Sequence, residues 1–221
     1  MKAFLSILSL TFIVIIYSCS SDQKTLVSSE KESIKLKSGI LINHTYPQIN
    51  KAGSEEIKEK LNNILKNYTD IQYQIANDSE DDSFNPTNDG KINSEFTILF
   101  ESDSLLSIEF RKDFLLSDSL YYREFRAVLL NHKTGVIQSS PEAYLPDFKR
   151  SKLLPFIYGD LLVSESQIYL NEASYLDGRN TTLTWTIKQD SFIVYPGGEG
   201  EMFGRYRVSI PCDSLGIDCP K

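Results

Sequence analysis

The sequence predicts an α+β fold, with antiparallel β-sheet, one long N-terminal helix and a shorter helical region interrupted by prolines. Three observations carry this. Apolar and polar residues alternate in several stretches after residue 90, as in Leu106-Ser107-Ile108-Glu109-Phe110-Arg111 and Leu183 to Lys188. That period of two marks strands with one covered face. Short turn segments join these stretches, so neighbours should pair antiparallel. A single apolar stripe at spacings of three and four runs through Ile57, Leu61, Ile64, Leu65 and Tyr68, the pattern of a half-buried helix.

Taken in order, Ile40-Leu41-Ile42 within 38–46 reads as a strand entering Tyr46-Pro47. Ser54 is a suitable N-cap for the helix, with Glu55 and Glu56 in the first turn, where the helix dipole favours acids. Residues 71–76 read as a second strand. From Asn77 to Gly90 the chain is polar and acidic, with Asp78, Glu80, Asp81, Asp82 and Asp89. Their spacing does not match a calcium loop, so the segment reads as a solvated connection. Phe96 to Phe100 is an apolar strand, and Glu101-Ser102-Asp103-Ser104 turns into the alternating run from Leu106. Ser117-Asp118-Ser119 turns again into a strand over 121–131, and His132-Lys133-Thr134-Gly135 closes a hairpin. Pro141 to Leu162 is the second helical region, broken by Pro146, Pro155 and Gly159. Three strands end the chain, around Trp185, around Phe192 to Tyr195, and over Tyr206, Val208 and Ile210. The glycine-rich Pro196 to Gly200 lacks a following Lys-Ser/Thr pair and reads as a loop between the last two, not a phosphate cradle.

The N-terminus carries a different message. Met1-Lys2 precedes fourteen uncharged, mostly apolar residues, Ala3 to Ile16, then Tyr17-Ser18-Cys19. The apolar run is too short to span a bilayer and has the layout of a signal peptide. Ile16 to Cys19 resembles the lipobox of bacterial lipoproteins. The resemblance implies cleavage after Ser18 and acylation of Cys19, which anchors the protein to a lipid bilayer facing the periplasm or exterior. The polar stretch after Cys19, to about residue 37, reads as a flexible tether. Residues 38–221 then form the body, as one domain or two packed lobes with a boundary near 77–92. Lys+Arg number 23 against 30 Asp+Glu, a formal charge of −7, which speaks against nucleic acid. Cys212 and Cys219 are an even pair suited to an oxidising compartment and are a disulfide candidate.

Several features of the body resemble the extracellular RsiV-like domain, found in the anti-sigma factor RsiV and ahead of the catalytic domain in PdaC-type peptidoglycan deacetylases. They are Tyr46-Pro47-Gln48-Ile49, the helix from Ser54, Asn131 to Gly135, Leu183 to Lys188, Asp190 to Tyr195, Gly204, and Val208-Ser209-Ile210-Pro211 with Leu215 beyond. The resemblance covers roughly 38–217. It implies an outward-facing binding domain, with lysozyme as the ligand in the anti-sigma factor and an accessory role in the deacetylases. Many members carry a Gly-Gly-Ala-His-like segment where this chain has Tyr122-Arg123-Glu124-Phe125-Arg126, so no role of that segment transfers.

Few residues of the chain carry a pattern that points to chemistry. There are two histidines, His44 and His132, with no G-x-S-x-G motif and no zinc spacing. No catalytic residue, metal ligand or cofactor is assigned. Arg123, Arg126, Arg205 and Arg207 stand on strands, and with Tyr122 they are the candidate ligand-binding residues; their bland alternative is the wet face of half-buried strands. Asp103-Ser104-Leu105, Asp118-Ser119-Leu120 and Asp213-Ser214-Leu215 resemble a bacterial O-glycosylation sequon and equally read as turns. The expected function is a membrane-anchored envelope lipoprotein with a non-catalytic domain that binds a lysozyme-like protein or peptidoglycan. The alternatives are an envelope hydrolase with scattered site residues, or a structural envelope component.

Overall fold

β1 (Val27–Lys35) lies in the stretch expected to be tether. It pairs antiparallel with β2 (Leu41–Ile49) from Val27↔Ile49 to Lys35↔Leu41, through a turn in which Gly39 takes φ +91°. The tether reading is therefore corrected over these residues. Its cause is plain in the composition: β1 is an edge strand whose residues are mostly exposed and charged or hydroxylic, and polar edge strands carry no apolar alternation. The structure is a computed structural model that describes residues 25–36, 38–69, 90–145, 147–153, 155–157, 184–195 and 207–219. The signal peptide, Cys19, the strand expected over 71–76, most of the expected lobe boundary, the 196–200 loop and Arg205 lie outside the described residues.

The expected α+β class is corrected to a mainly β architecture. Among the described residues no long N-terminal helix is present. The helix from Ser54 is α1 (Glu55–Asn67), thirteen residues set after two strands, with the Ser54 hydroxyl accepting from the Ile57 amide. The Pro-rich region contributes α2 (Pro141–Tyr144) and a 3-10 turn, Arg150–Lys152. The large sheet is also mixed, not purely antiparallel. β2 pairs parallel with β3 (Gly90–Glu101), because the connection between them contains α1 and is long enough for a crossover. β4 (Leu105–Leu116), β5 (Ser119–Asn131) and β6 (Val136–Ile137) continue it antiparallel, in the order β1-β2-β3-β4-β5-β6.

Both faces of this sheet are covered. Leu106, Ile108 and Phe110 of β4 and Val128 and Leu130 of β5 pack with Ile49, Leu61 and Leu65, under α1. On the other face Phe100 and Leu129 pack against a second sheet, β7 (Thr184–Lys188), β8 (Ser191–Tyr195) and β9 (Val208–Pro211). Trp185 and Phe192 stack in that core at 5.5 Å. The alternation along β4 thus marks not a wet face but a second, polar interface. Ser107 is fully buried and Glu109 nearly so. Ser107 bonds the Thr186 hydroxyl and donates to Ile187 O at 2.6 Å. α3 (Cys212–Leu215) follows β9, and Cys212 and Cys219 are joined in a disulfide with Cα atoms 5.9 Å apart.

Candidate functional site

A transverse row of polar residues crosses the helix-facing side of the large sheet. Glu32, His44, Ser94, Lys112 and Glu124 are successive cross-strand partners on β1 to β5. The end of α1 closes over them. His44 is 1% exposed and its Nε2 lies 3.1 Å from Lys66 O. A carbonyl only accepts, so Nε2 carries the proton and Nδ1 is left as a bare acceptor. Nδ1 has no hydrogen-bond partner among the described residues, and neither has the hydroxyl of the adjacent Ser94. Burial holds the His44 pKa below its ordinary value, against the opposing pull of Lys66 O and Glu32.

The β1 end of the row is an ionic clasp. Lys66 Nζ sits 2.5 Å from Glu32 Oε1, and Tyr46 donates its hydroxyl to the same oxygen at 3.0 Å. Lys66 also lies over the Tyr46 ring, which stacks on His44 at 4.9 Å. The Lys66 hydrogen bond lowers the Glu32 pKa, and Glu32 in turn raises that of Lys66. At the β5 end Lys112, almost fully buried, pairs with Glu124 at 2.7 Å and donates to Thr69 O at 3.4 Å. Arg126 donates to Tyr68 O at 2.5 Å, so the residues just beyond α1 are held by two cations from the sheet. The cavity among Thr69, Lys112, Glu124 and Arg126 has about 10 Å³, too small for an organic ligand. A histidine acceptor beside a serine hydroxyl has the makings of a base and a nucleophile. Both are sealed from solvent at 1% exposure, so substrate has no access.

The second feature is the tip of the β4–β5 hairpin. Ser117 and Asp118 both have positive φ, +49° and +63°, between the paired Leu116 and Ser119. This is the two-residue geometry that matches strand twist. Asp118 is braced by Lys91 at 2.5 Å. Around this tip Leu116, Leu120 and Tyr121 are 40%, 51% and 75% exposed. Beside it a shallow hollow of about 480 Å³ is lined by Lys35, Leu41, Lys91 and Asp118.

The sequence candidates divide between the two sheet faces. Arg123 sits on the face of the second sheet and makes a bidentate pair with Asp113, at 2.6 and 2.9 Å. Arg207 is on that face too, 3.0 Å from Glu109 Oε2. Arg126 is on the α1 face, and Tyr122 is in register with Phe114. The three described arginines therefore do not converge on one surface. Their described contacts are with the fold itself. His132 is buried at the β5–β6 turn, its Nε2 3.4 Å from Ser102 O. Among the described residues there is no cluster of metal-ligating side chains, and no helix is long and apolar enough to cross a membrane.

Sequence reasoning missed Glu32, Lys66 and Lys112. Lys112 had a signal: it interrupts Leu106, Ile108, Phe110 and Phe114 on the apolar face of β4. A charge at such a position calls for a buried partner. Glu32 and Lys66 had none, since they lie 34 residues apart in segments read as tether and helix surface.

No family model matches the chain, and no curated protein matches it. Among solved structures it is similar to a DUF3298 family protein from Pseudomonas aeruginosa PAO1, with a TM-score of 0.48 at 12% identity, over 88% of this chain and 95% of that one. It is likewise similar to a DUF3298 family member from Bacteroides fragilis, with a TM-score of 0.48 at 13% identity, over 87% and 93%. These neighbours are DUF3298 family proteins.

Proposed function

We propose that this chain is a membrane-anchored envelope lipoprotein whose folded body is a non-catalytic binding domain of RsiV-like type. The anchor part rests on the lipobox-like Ile16 to Cys19. The binding part rests chiefly on the exposed apolar tip formed by Leu116, Leu120 and Tyr121, on a hairpin whose turn is fixed and braced. Exposed apolar side chains on a braced projection favour recognition, with tyrosine a favoured anchor; by register Leu116 and Leu120 flank the tip on its two faces. Strand register supports the orientation. Val27, where the chain enters β1, pairs with Ile49, whereas the tip lies past Lys35↔Leu41, Leu41↔Lys91 and Gly90↔Leu116. The tip is thus one β1 length, roughly 30 Å, from the end nearer the anchor. The sealed His44 and Ser94 weigh against hydrolysis.

The ligand in this reading is a lysozyme-like protein or peptidoglycan. The experiment compares the purified lipoprotein with a Leu116→Ser, Leu120→Ser, Tyr121→Ser variant, both in detergent, for binding to lysozyme and to insoluble peptidoglycan. The expected result is retention of one of these by the native protein and at least about tenfold weaker retention by the variant. Equal behaviour of the two, or reproducible cleavage of peptidoglycan or an ester, overturns the reading. For the anchor, Cys19→Ala should leave the membrane fraction or keep its leader; unchanged mass and attachment would refute it.

A further inference from the structure

We propose that His44 is a proton-operated latch for the C-terminal turn of α1. In the closed form its Nε2–H donates to Lys66 O, its ring stacks on Tyr46, and its Nδ1 is an acceptor without a described partner. A proton arriving from solvent can bind only at Nδ1. It would create a cation at a site that is 1% exposed, where an unpaired charge is strongly disfavoured.

The surrounding groups decide the outcome. Glu32 from β1 is the nearby carboxylate, but it is already bound by Lys66 Nζ and the Tyr46 hydroxyl. Lys66 from α1 adds a like charge. Ser94 from β3, the cross-strand neighbour, makes no hydrogen bond to Nδ1 and supplies no charge, and Lys112 beyond it on β4 is a further cation. Protonated His44 must therefore either take Glu32 from Lys66 or reach water. The first frees the Lys66 ammonium from β1, and the second requires the turn carrying Lys66 O to lift. Both loosen the same segment, the end of α1 and its hold on β1 and β2. The burial that depresses the His44 pKa acts in the same direction. The closed form binds fewer protons than the open one, whose histidine titrates near its ordinary value of about 6.5. Closure is thus fully favourable above that value. It weakens as pH falls below it, and levels off beneath the depressed value of the closed form.

The test is amide hydrogen exchange on the full mature protein between pH 7.5 and 5, corrected for intrinsic rates, alongside His44→Phe. Phenylalanine keeps a ring against Tyr46 and does not titrate. In the native protein the opening equilibrium of the α1 amides near residues 63–68 should rise by up to about tenfold per pH unit below roughly 6.5, with β8 amides unmoved. In His44→Phe that dependence should vanish, while His132→Phe should retain it. A second readout serves if His44→Phe does not fold: the ring resonances of native His44 should report the Nε2–H tautomer and titrate together with the opening. A flat pH response, the same response in His44→Phe, or titration of His44 without opening each overturns the latch.

Discussion

Tyr195 of β8 donates its hydroxyl to Glu109 of β4 at 2.5 Å, and Arg207 reaches the same carboxylate oxygen at 3.0 Å. The two sheets are thus joined by a satisfied polar cluster as well as by the Trp185 and Phe192 core. Burial, with the facing carboxylate, pushes the Tyr195 pKa far up, so the phenol stays protonated and donating. Tyr195→Phe removes the donor and leaves Glu109 short of one partner in a nearly buried site. We expect a loss of about 1–3 kcal/mol in urea unfolding, with little change in the m-value. A double cycle with Arg207→Ala should show coupling, since the two donors share one oxygen. No loss in Tyr195→Phe, which keeps the ring stacked on Phe125, would mean that Tyr195 acts by packing alone.

Gly53 precedes the α1 cap and is pressed against the β5–β6 turn. Its amide donates to His132 O at 3.2 Å, and a Cβ built on it would stand 1.8 Å from Lys133 O. The obstacle is backbone, so no side-chain rotation relieves it. Gly53→Ala must push the start of α1 away from the turn. We expect a cost at the upper end of the overpacking range, about 3 kcal/mol, read as a fall in thermal midpoint. A neutral result would show that the turn yields freely.

Ser117 takes φ +49° in the tip turn, a conformation that costs serine more than asparagine. Ser117→Asn should stabilise the protein by about 0.5 kcal/mol without touching the Lys91–Asp118 pair. Chemical unfolding of the variant measures this. A loss instead would show that Ser117 is held by more than its dihedral.

The local grammar of the chain was legible where one element decides its own state. The Ser54 cap, the turn at Ser117-Asp118 and the strands around Trp185 and Phe192 each appear where their chemistry put them. What escaped depended on two elements meeting. β1 is polar on both sides, and only pairing with β2 makes it a strand. The parallel join of β2 to β3 depends on a crossover that no residue pattern announces. Ser107 and Glu109 looked solvated because the sheet that covers them lies about eighty residues downstream. The separation of the described candidate arginines was hidden for the same reason. Adjacent strand positions point to opposite faces, so Arg123 and Arg126 part company as soon as the register is known.

The last contact to test closes the C-terminus. Cys212 is buried in the core of the second sheet, at the start of α3, and Cys219 lies seven residues on. Between them Gly216 adopts φ +65°, its amide bonded to Asp213 O, while Ile217 N bonds to Cys212 O. The loop is therefore ordered by its own backbone as well as by the crosslink. Loop-closure entropy for a ring this short is about 2.5 kcal/mol, and part of that is offset by the backbone bonds that persist without it. The Cys212→Ser, Cys219→Ser variant should lose about 2 kcal/mol or less, and also leaves a hydroxyl in an apolar site. Cys219→Ser alone, whose partner stays apolar, separates the two effects. Thermal unfolding of native protein with and without reductant should reproduce the single variant, and a native midpoint insensitive to reductant would show that the crosslink contributes nothing to the stability of this end.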